Sequence, residues 1–119
     1  TFAHAYEATL RYSSKLNHGE AVILGIMTSL KFSLEIKLIK FQEYNQIIQH
    51  LLKMRLPSDI KKYFSAKNLN TILTFMMKDK KNTSEKINLI LLKRVGSTVI
   101  NNEYTSLKIK RFLKKELAN

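Results

Sequence analysis

Three histidines, a His-Gly-Glu run and a lysine-rich run carry the side chains of this sequence that are suited to chemistry. His4 lies in "HAYEA", with Glu7, Ala8 and Arg11 on its helix face at i+3, i+4 and i+7. The plain reading of that spacing is a partly buried histidine beside a Glu7–Arg11 pair. His18 stands in "LNHGEAVILGIM", where a helix should begin. Gly19 permits close approach or an unusual backbone angle there, and Glu20 adds negative charge to the first turn, where the helix dipole favours it. His4 and His18 are 14 positions apart, so they do not form an H-x-x-x-H pair, and spacing alone gives no complete metal site. His50 falls on the polar side of its segment and reads as a surface residue.

The lysine run "KDKKN" admits two readings. Charges at a helix C-terminus are usually solvated and suit the negative end of the dipole. Lys80 and Lys81, held in a loop beside a cleft, would instead clamp an anion, because ammonium groups attract phosphate and carboxylate as point charges. With no cysteine in the chain, thiolate metal sites, disulfides and cysteine nucleophiles are excluded, and a reducing, cytoplasmic compartment is the expectation.

The elements that must position these residues are mostly helical. From Glu20 onward, Val22, Leu24, Ile26, Met27, Leu30, Leu34 and Leu38 cover much of the helix circumference, which predicts a central helix that becomes amphipathic toward its lysine-bearing end. A second segment carries Phe41, Tyr44, Ile48, Leu51 and Leu52 on one face and is expected to stop at Pro57. Ser65 is positioned to cap a helix with Leu69, Ile72, Leu73 and Met76 at i, i+3, i+4 and i+7. "INLILLKRVGSTVI", around Gly96, is rich in branched apolar residues and predicts two short strands or an extended excursion near residues 87–100. The last helix should bury Ile109, Phe112, Leu113 and Leu117 beneath Lys108, Lys110, Arg111, Lys114 and Lys115.

The whole chain, 119 residues at 45% apolar content, predicts a single helical domain over residues 1–119: a mainly α bundle with a short β excursion. The chain opens on Thr1 in a sequence that already reads as helix, so it is expected to be part of a larger protein. Its formal charge of +12 attracts nucleic acid, anionic membrane or phosphorylated and carboxylated small molecules alike. No apolar run reaches the ~20 residues of a membrane span. No nucleic-acid motif is present and the few aromatics mostly occupy core positions, which leaves a basic nucleic-acid-binding module as the distant alternative.

Four motifs in register then point to a family. "TFAHAYEA", "YSSKLNHGEAVILGIM", "LPSDI" and "MMKDKKNTSEKINLILLKRVGST" resemble, in order and spacing, the C-terminal half of 3-dehydroquinate synthase. The family pattern there is H-T-F-(G/A)-H-A-x-E, then L-x-H-G-E-A-V-x-x-G-M, then L-P, then D-K-K. Ala3 stands where glycine is common, a mild change. The resemblance implies the C-terminal domain of a dehydroquinate synthase-like fold, within a two-domain enzyme whose NAD-binding domain is absent here. No Gly-rich dinucleotide fingerprint occurs in the chain.

The resemblance also implies the site. His18 matches a histidine that binds Zn²⁺, for which Co²⁺ can substitute. The pattern's other metal histidine would fall immediately before Thr1. His4 matches a histidine that contacts substrate near its phosphate and takes part in proton movement, and Lys80 and Lys81 match lysines at the phosphate end. Glu7 and Glu20 match motif positions as supporting residues. The implied activity is conversion of 3-deoxy-D-arabino-heptulosonate 7-phosphate to 3-dehydroquinate and phosphate in the shikimate route, with NAD and a divalent metal. The implied partners are the sugar phosphate, the enzyme's own N-terminal domain and, in family members, a second subunit. Alone, the chain is expected to be inactive, with an apolar face left exposed. The alternative within the superfamily is another sugar phosphate cyclase, of 2-deoxy-scyllo-inosose or valiolone type; the iron-dependent alcohol dehydrogenases, whose histidine pattern differs, are more remote.

Overall fold

The structure, a computed structural model, describes residues 1–11, 15–56, 59–78, 86–94 and 97–118. Its organising element is α2 (His18–Glu35), whose buried residues Ala21, Leu24, Met27, Leu30 and Phe32 lie on more than one face, as expected for a helix surrounded by other elements. α1 (Phe2–Thr9) packs against it and against α4 (Leu69–Met77). α5 (Ser106–Leu117) closes the far side, burying Ile109, Phe112, Leu113 and Leu117, the stripe its spacing predicts. Phe32 sits where these layers meet, its ring edge-on to both Phe112 and Tyr104 at 5.1 Å between centroids.

The predicted β excursion is an antiparallel hairpin, β1 (Lys86–Arg94) and β2 (Ser97–Thr105). Register runs from Lys86 opposite Thr105 to Arg94 opposite Ser97, with irregularities between Leu89 and Leu91 and between Leu92 and Arg94. Ile87, Leu89 and Leu91 alternate onto one face and are buried, with β1 packed on α2, so the hairpin lids the helical core on one side. Gly96 lies outside the described residues.

Several helix ends differ from expectation, for reasons visible in the backbone. α2 stops at Glu35, before Leu38, in a Schellman motif: the Leu38 amide donates to the Ser33 carbonyl at 2.8 Å and the Lys37 amide to the Leu34 carbonyl at 3.0 Å. Lys37 holds the left-handed conformation this requires, with φ 61°. α3 (Phe41–Lys53) ends before Pro57, where Arg55 turns left-handed at φ 55° and its amide donates to the Leu52 carbonyl. Ser65 caps a 3₁₀ turn, Ala66–Asn68, that leads into α4, in a reciprocal capping box with Asn68.

α3 departs most from its pattern. Among the described residues it packs substantially against α2 alone, and none of its residues is fully buried: Phe41 is 62% exposed and Leu52 44%. Among the described residues, no helix is long and apolar enough to cross a membrane.

Candidate functional site

The site is built on the first turn of α2. Asn17 caps the helix: its side chain accepts the Glu20 amide at 2.8 Å, and the Glu20 carboxylate accepts the Asn17 amide at 3.1 Å. Leu16 and Ala21, the positions of a hydrophobic staple around such a cap, are both buried. The backbone of His18, the first helical residue, is therefore fixed from both sides. Its imidazole stays 72% exposed.

α1 supplies the second member. Its approach to α2 is set by Gly25, where a Cβ would meet the Ala3 nitrogen at 2.9 Å and the Ala3 Cβ at 3.0 Å. The methyl group of Ala3 fills the space that Gly25 leaves open, which is why alanine is accommodated at that position. With the helices this close, Glu7, one turn beyond Ala3, reaches the start of α2. Its Oε1 lies 3.1 Å from His18 Nδ1, while its side chain is only 9% exposed. An ionised carboxylate only accepts hydrogen bonds, so Nδ1 of the neutral imidazole carries the proton and Nε2 is left as a lone-pair donor.

This corrects the local reading of α1. Glu7 pairs with His18 rather than with Arg11, which lies past the helix end with φ 55°. His4 is exposed rather than partly buried, and it precedes Glu7 by three positions on the same helical face. Gly19 serves neither close approach nor an unusual angle: a Cβ there would touch only Asn17 Oδ1, at an ordinary 3.5 Å. Lys80 and Lys81 lie outside the described residues. His50 is exposed, as expected.

An imidazole backed by a buried carboxylate and open on Nε2 is a donor suited to Zn²⁺ or Co²⁺. Such a donor does not make a metal site alone: among the described residues, no group of three or more histidine, cysteine, aspartate or glutamate side chains could hold a metal ion. Elsewhere on the α1–α2 pair an open apolar cavity of about 370 Å³ is lined by Phe2, Ala3, Val22, Gly25, Ile26 and Ile47, among others. Ile26 is 46% exposed at its edge.

Within the core, the Tyr6 hydroxyl meets Thr28 Oγ1 at 2.7 Å, and Thr28 donates in turn to the Leu24 carbonyl at 2.8 Å. Thr28 has spent its proton, so Tyr6 is the donor of the pair. Burial pushes the Tyr6 phenol above its ordinary value, with the Thr28 hydrogen bond only partly opposing this and Glu116 adding slightly.

The comparisons agree with this architecture. Residues 1–82 match the family described as 3-dehydroquinate synthase C-terminal. A 3-dehydroquinate synthase of Pelagibacter ubique is 59% identical over 117 residues, covering 98% of this chain and 32% of the relative. One of Bradyrhizobium diazoefficiens is 32% identical over 123 residues, covering 99% of this chain and again 32% of the relative. The chain thus spans about a third of the length of these curated relatives. In fold it is similar to a 2-deoxy-scyllo-inosose synthase crystallised with carbaglucose-6-phosphate, NAD⁺ and Co²⁺, at TM-score 0.68 and 17% identity, covering 96% of this chain and 34% of that one. On the match over residues 1–82, this chain belongs to the 3-dehydroquinate synthase C-terminal family.

Proposed function

We propose that this chain is the carboxy-terminal metal- and substrate-binding portion of a 3-dehydroquinate synthase, the enzyme that converts 3-deoxy-D-arabino-heptulosonate 7-phosphate to 3-dehydroquinate and phosphate in the shikimate pathway. The observation that carries the reading is the Glu7–His18 pair at the rigid start of α2, which presents one imidazole nitrogen outward as a metal ligand. When bound, a divalent ion (Zn²⁺ or Co²⁺) acidifies substrate hydroxyls, and NAD⁺ takes up and returns hydride. Everything else asked of this chain is positioning and charge. His18 holds the metal from one side. His4, exposed on the Glu7 face of α1, contacts substrate and carries a proton. Lys80 and Lys81 neutralise the phosphate end as ammonium groups.

The nucleotide is held by an N-terminal domain of the whole protein, and the apolar cavity along α1, α2 and α3 is the face we assign to the rest of such a protein. Its lining of Phe2, Val22, Ile26 and Ile47, with α3 only half-covered, has the character of an interface. The protein would be cytoplasmic and, like its family, a homodimer.

The test is a chimera in which this chain replaces the matching segment of the Pelagibacter ubique relative. It is expected to release phosphate from the heptulosonate phosphate and to form 3-dehydroquinate. A folded chimera that instead cyclises a hexose 6-phosphate would transfer the assignment to another sugar phosphate cyclase, and one that turns over neither substrate would refute it.

A further inference from the structure

We propose that Glu7 is a positioning residue: its buried carboxylate accepts the Nδ1–H of His18 and so fixes the tautomer and orientation in which Nε2 faces a divalent metal. The inference rests on His18 being a metal ligand, and it adds a residue that does not touch the metal. Three features of the structure carry it.

The two partners are unequally placed. The Glu7 side chain is 9% exposed and belongs to the wall of the domain, whereas the His18 side chain is 72% exposed and has little packing of its own to hold it. An imidazole that free would sample several rotamers, and in water its neutral form favours the Nε2–H tautomer, which cannot ligate through Nε2. The hydrogen bond at 3.1 Å is thus the contact that selects both ring orientation and protonated nitrogen.

The pair is also held from behind. Gly25 against Ala3 sets the separation of α1 and α2, and the Asn17–Glu20 capping box fixes the backbone of His18. Neither partner can follow the other if one is moved, which is what pre-organisation of a metal ligand requires. Finally, the chemistry is suitable: a carboxylate behind an imidazole raises the basicity of the outward nitrogen, and loss of such a group typically weakens metal affinity about 10–100-fold.

The decisive measurement needs no metal and no activity. Long-range ¹H–¹⁵N correlation spectra of the full chain at about pH 8, above the ordinary imidazole range, report which ring nitrogen carries the proton. His18 is expected as the Nδ1–H tautomer, and Nε2–H in the wild-type chain would overturn the proposal. In Glu7→Ala the preference should revert toward Nε2–H; an unchanged tautomer would equally overturn it. If Glu7→Ala does not fold, Glu7→Gln serves, because its amide can accept from or donate to Nδ1 and should erase the preference.

A second arm separates this inference from the function it rests on. In the chimera, Zn²⁺ competition titration should show Glu7→Gln weakened about 10–100-fold and His18→Ala weakened further. Affinity unchanged in Glu7→Gln but lost in His18→Ala would sink the role of Glu7 and keep the metal reading. Affinity unchanged in His18→Ala would sink the metal reading, whatever tautomer the spectra show.

Discussion

Gly25 and Ala3 stand so close that a Cβ on Gly25 would lie 2.9 Å from the Ala3 nitrogen and 3.2 Å from its Cα. The obstructing atoms are backbone, which cannot swing aside as a long side chain can. Helix propensity alone favours alanine over glycine by ~1 kcal/mol, but overpacking costs about 1–3 kcal/mol. Gly25→Ala is therefore expected to destabilise, whereas Gly19→Ala, facing only Asn17 Oδ1 at 3.5 Å, should be neutral or stabilising. Urea unfolding of the two variants checks the contrast, and equal midpoints would contradict the close approach.

The buried Tyr6–Thr28 pair makes an asymmetric prediction. Thr28→Val leaves the Tyr6 hydroxyl without its acceptor and should cost about 1–3 kcal/mol. Tyr6→Phe leaves Thr28 still donating to the Leu24 carbonyl and should cost less. The pair also sets a pH dependence. The native phenol is held above its ordinary value, so it stays neutral while the unfolded chain ionises. The stabilising contribution is full below about pH 10 and is lost progressively as pH rises from there toward the raised native value. Unfolding midpoints measured across that range should fall more steeply for the wild type than for Tyr6→Phe, which keeps the burial-raised phenols of Tyr44 and Tyr104.

Lys37 closes α2 with a left-handed backbone at φ 61°, a conformation that costs a non-glycine residue roughly 1–2 kcal/mol. Lys37→Gly is expected to stabilise the chain by up to about 1 kcal/mol, the remainder being offset by the greater freedom of glycine in the unfolded state. Thermal unfolding measures this, and a lower midpoint would show that the lysine side chain contributes something its backbone does not reveal.

Ile26 is 46% exposed at the edge of the apolar cavity, so its side chain contributes only part of a buried isoleucine's stabilisation. Ile26→Ser should cost the isolated chain under about 1 kcal/mol. In the chimera, where we assign that cavity to the interface with the rest of the protein, the same substitution should lower stability by clearly more. Equal losses in both settings would place the interface elsewhere.

Much of this fold was legible because its periodicities are local. The α5 stripe of Ile109, Phe112, Leu113 and Leu117 and the alternation of Ile87, Leu89 and Leu91 follow from spacing alone, and both are buried as the pattern requires. The end of α2 was not legible, since the left-handed position is held by a lysine rather than by the glycine that usually marks it. α3 shows that an apolar face reports what a helix can bury, whereas burial also needs a partner surface: Phe41 and Leu52 remain exposed. At the site, His18 at a helix start was readable from Glu20, whose charge suits a first turn. The Glu7–His18 pair was not, because a helix offers Glu7 a local partner in Arg11 and only the packing of α1 on α2 replaces it. The available signal was the place of Glu7 in the same short motif as His4.

We assign His18 as a metal ligand of an enzyme in this family, and the metal content of the purified protein decides that assignment. The chimera, loaded with Zn²⁺ and dialysed against metal-free buffer, should retain metal by elemental analysis, and His18→Ala, folded to the same extent, should lose it. A His18→Ala chimera that keeps the wild-type metal content would show that His18 does not hold the metal.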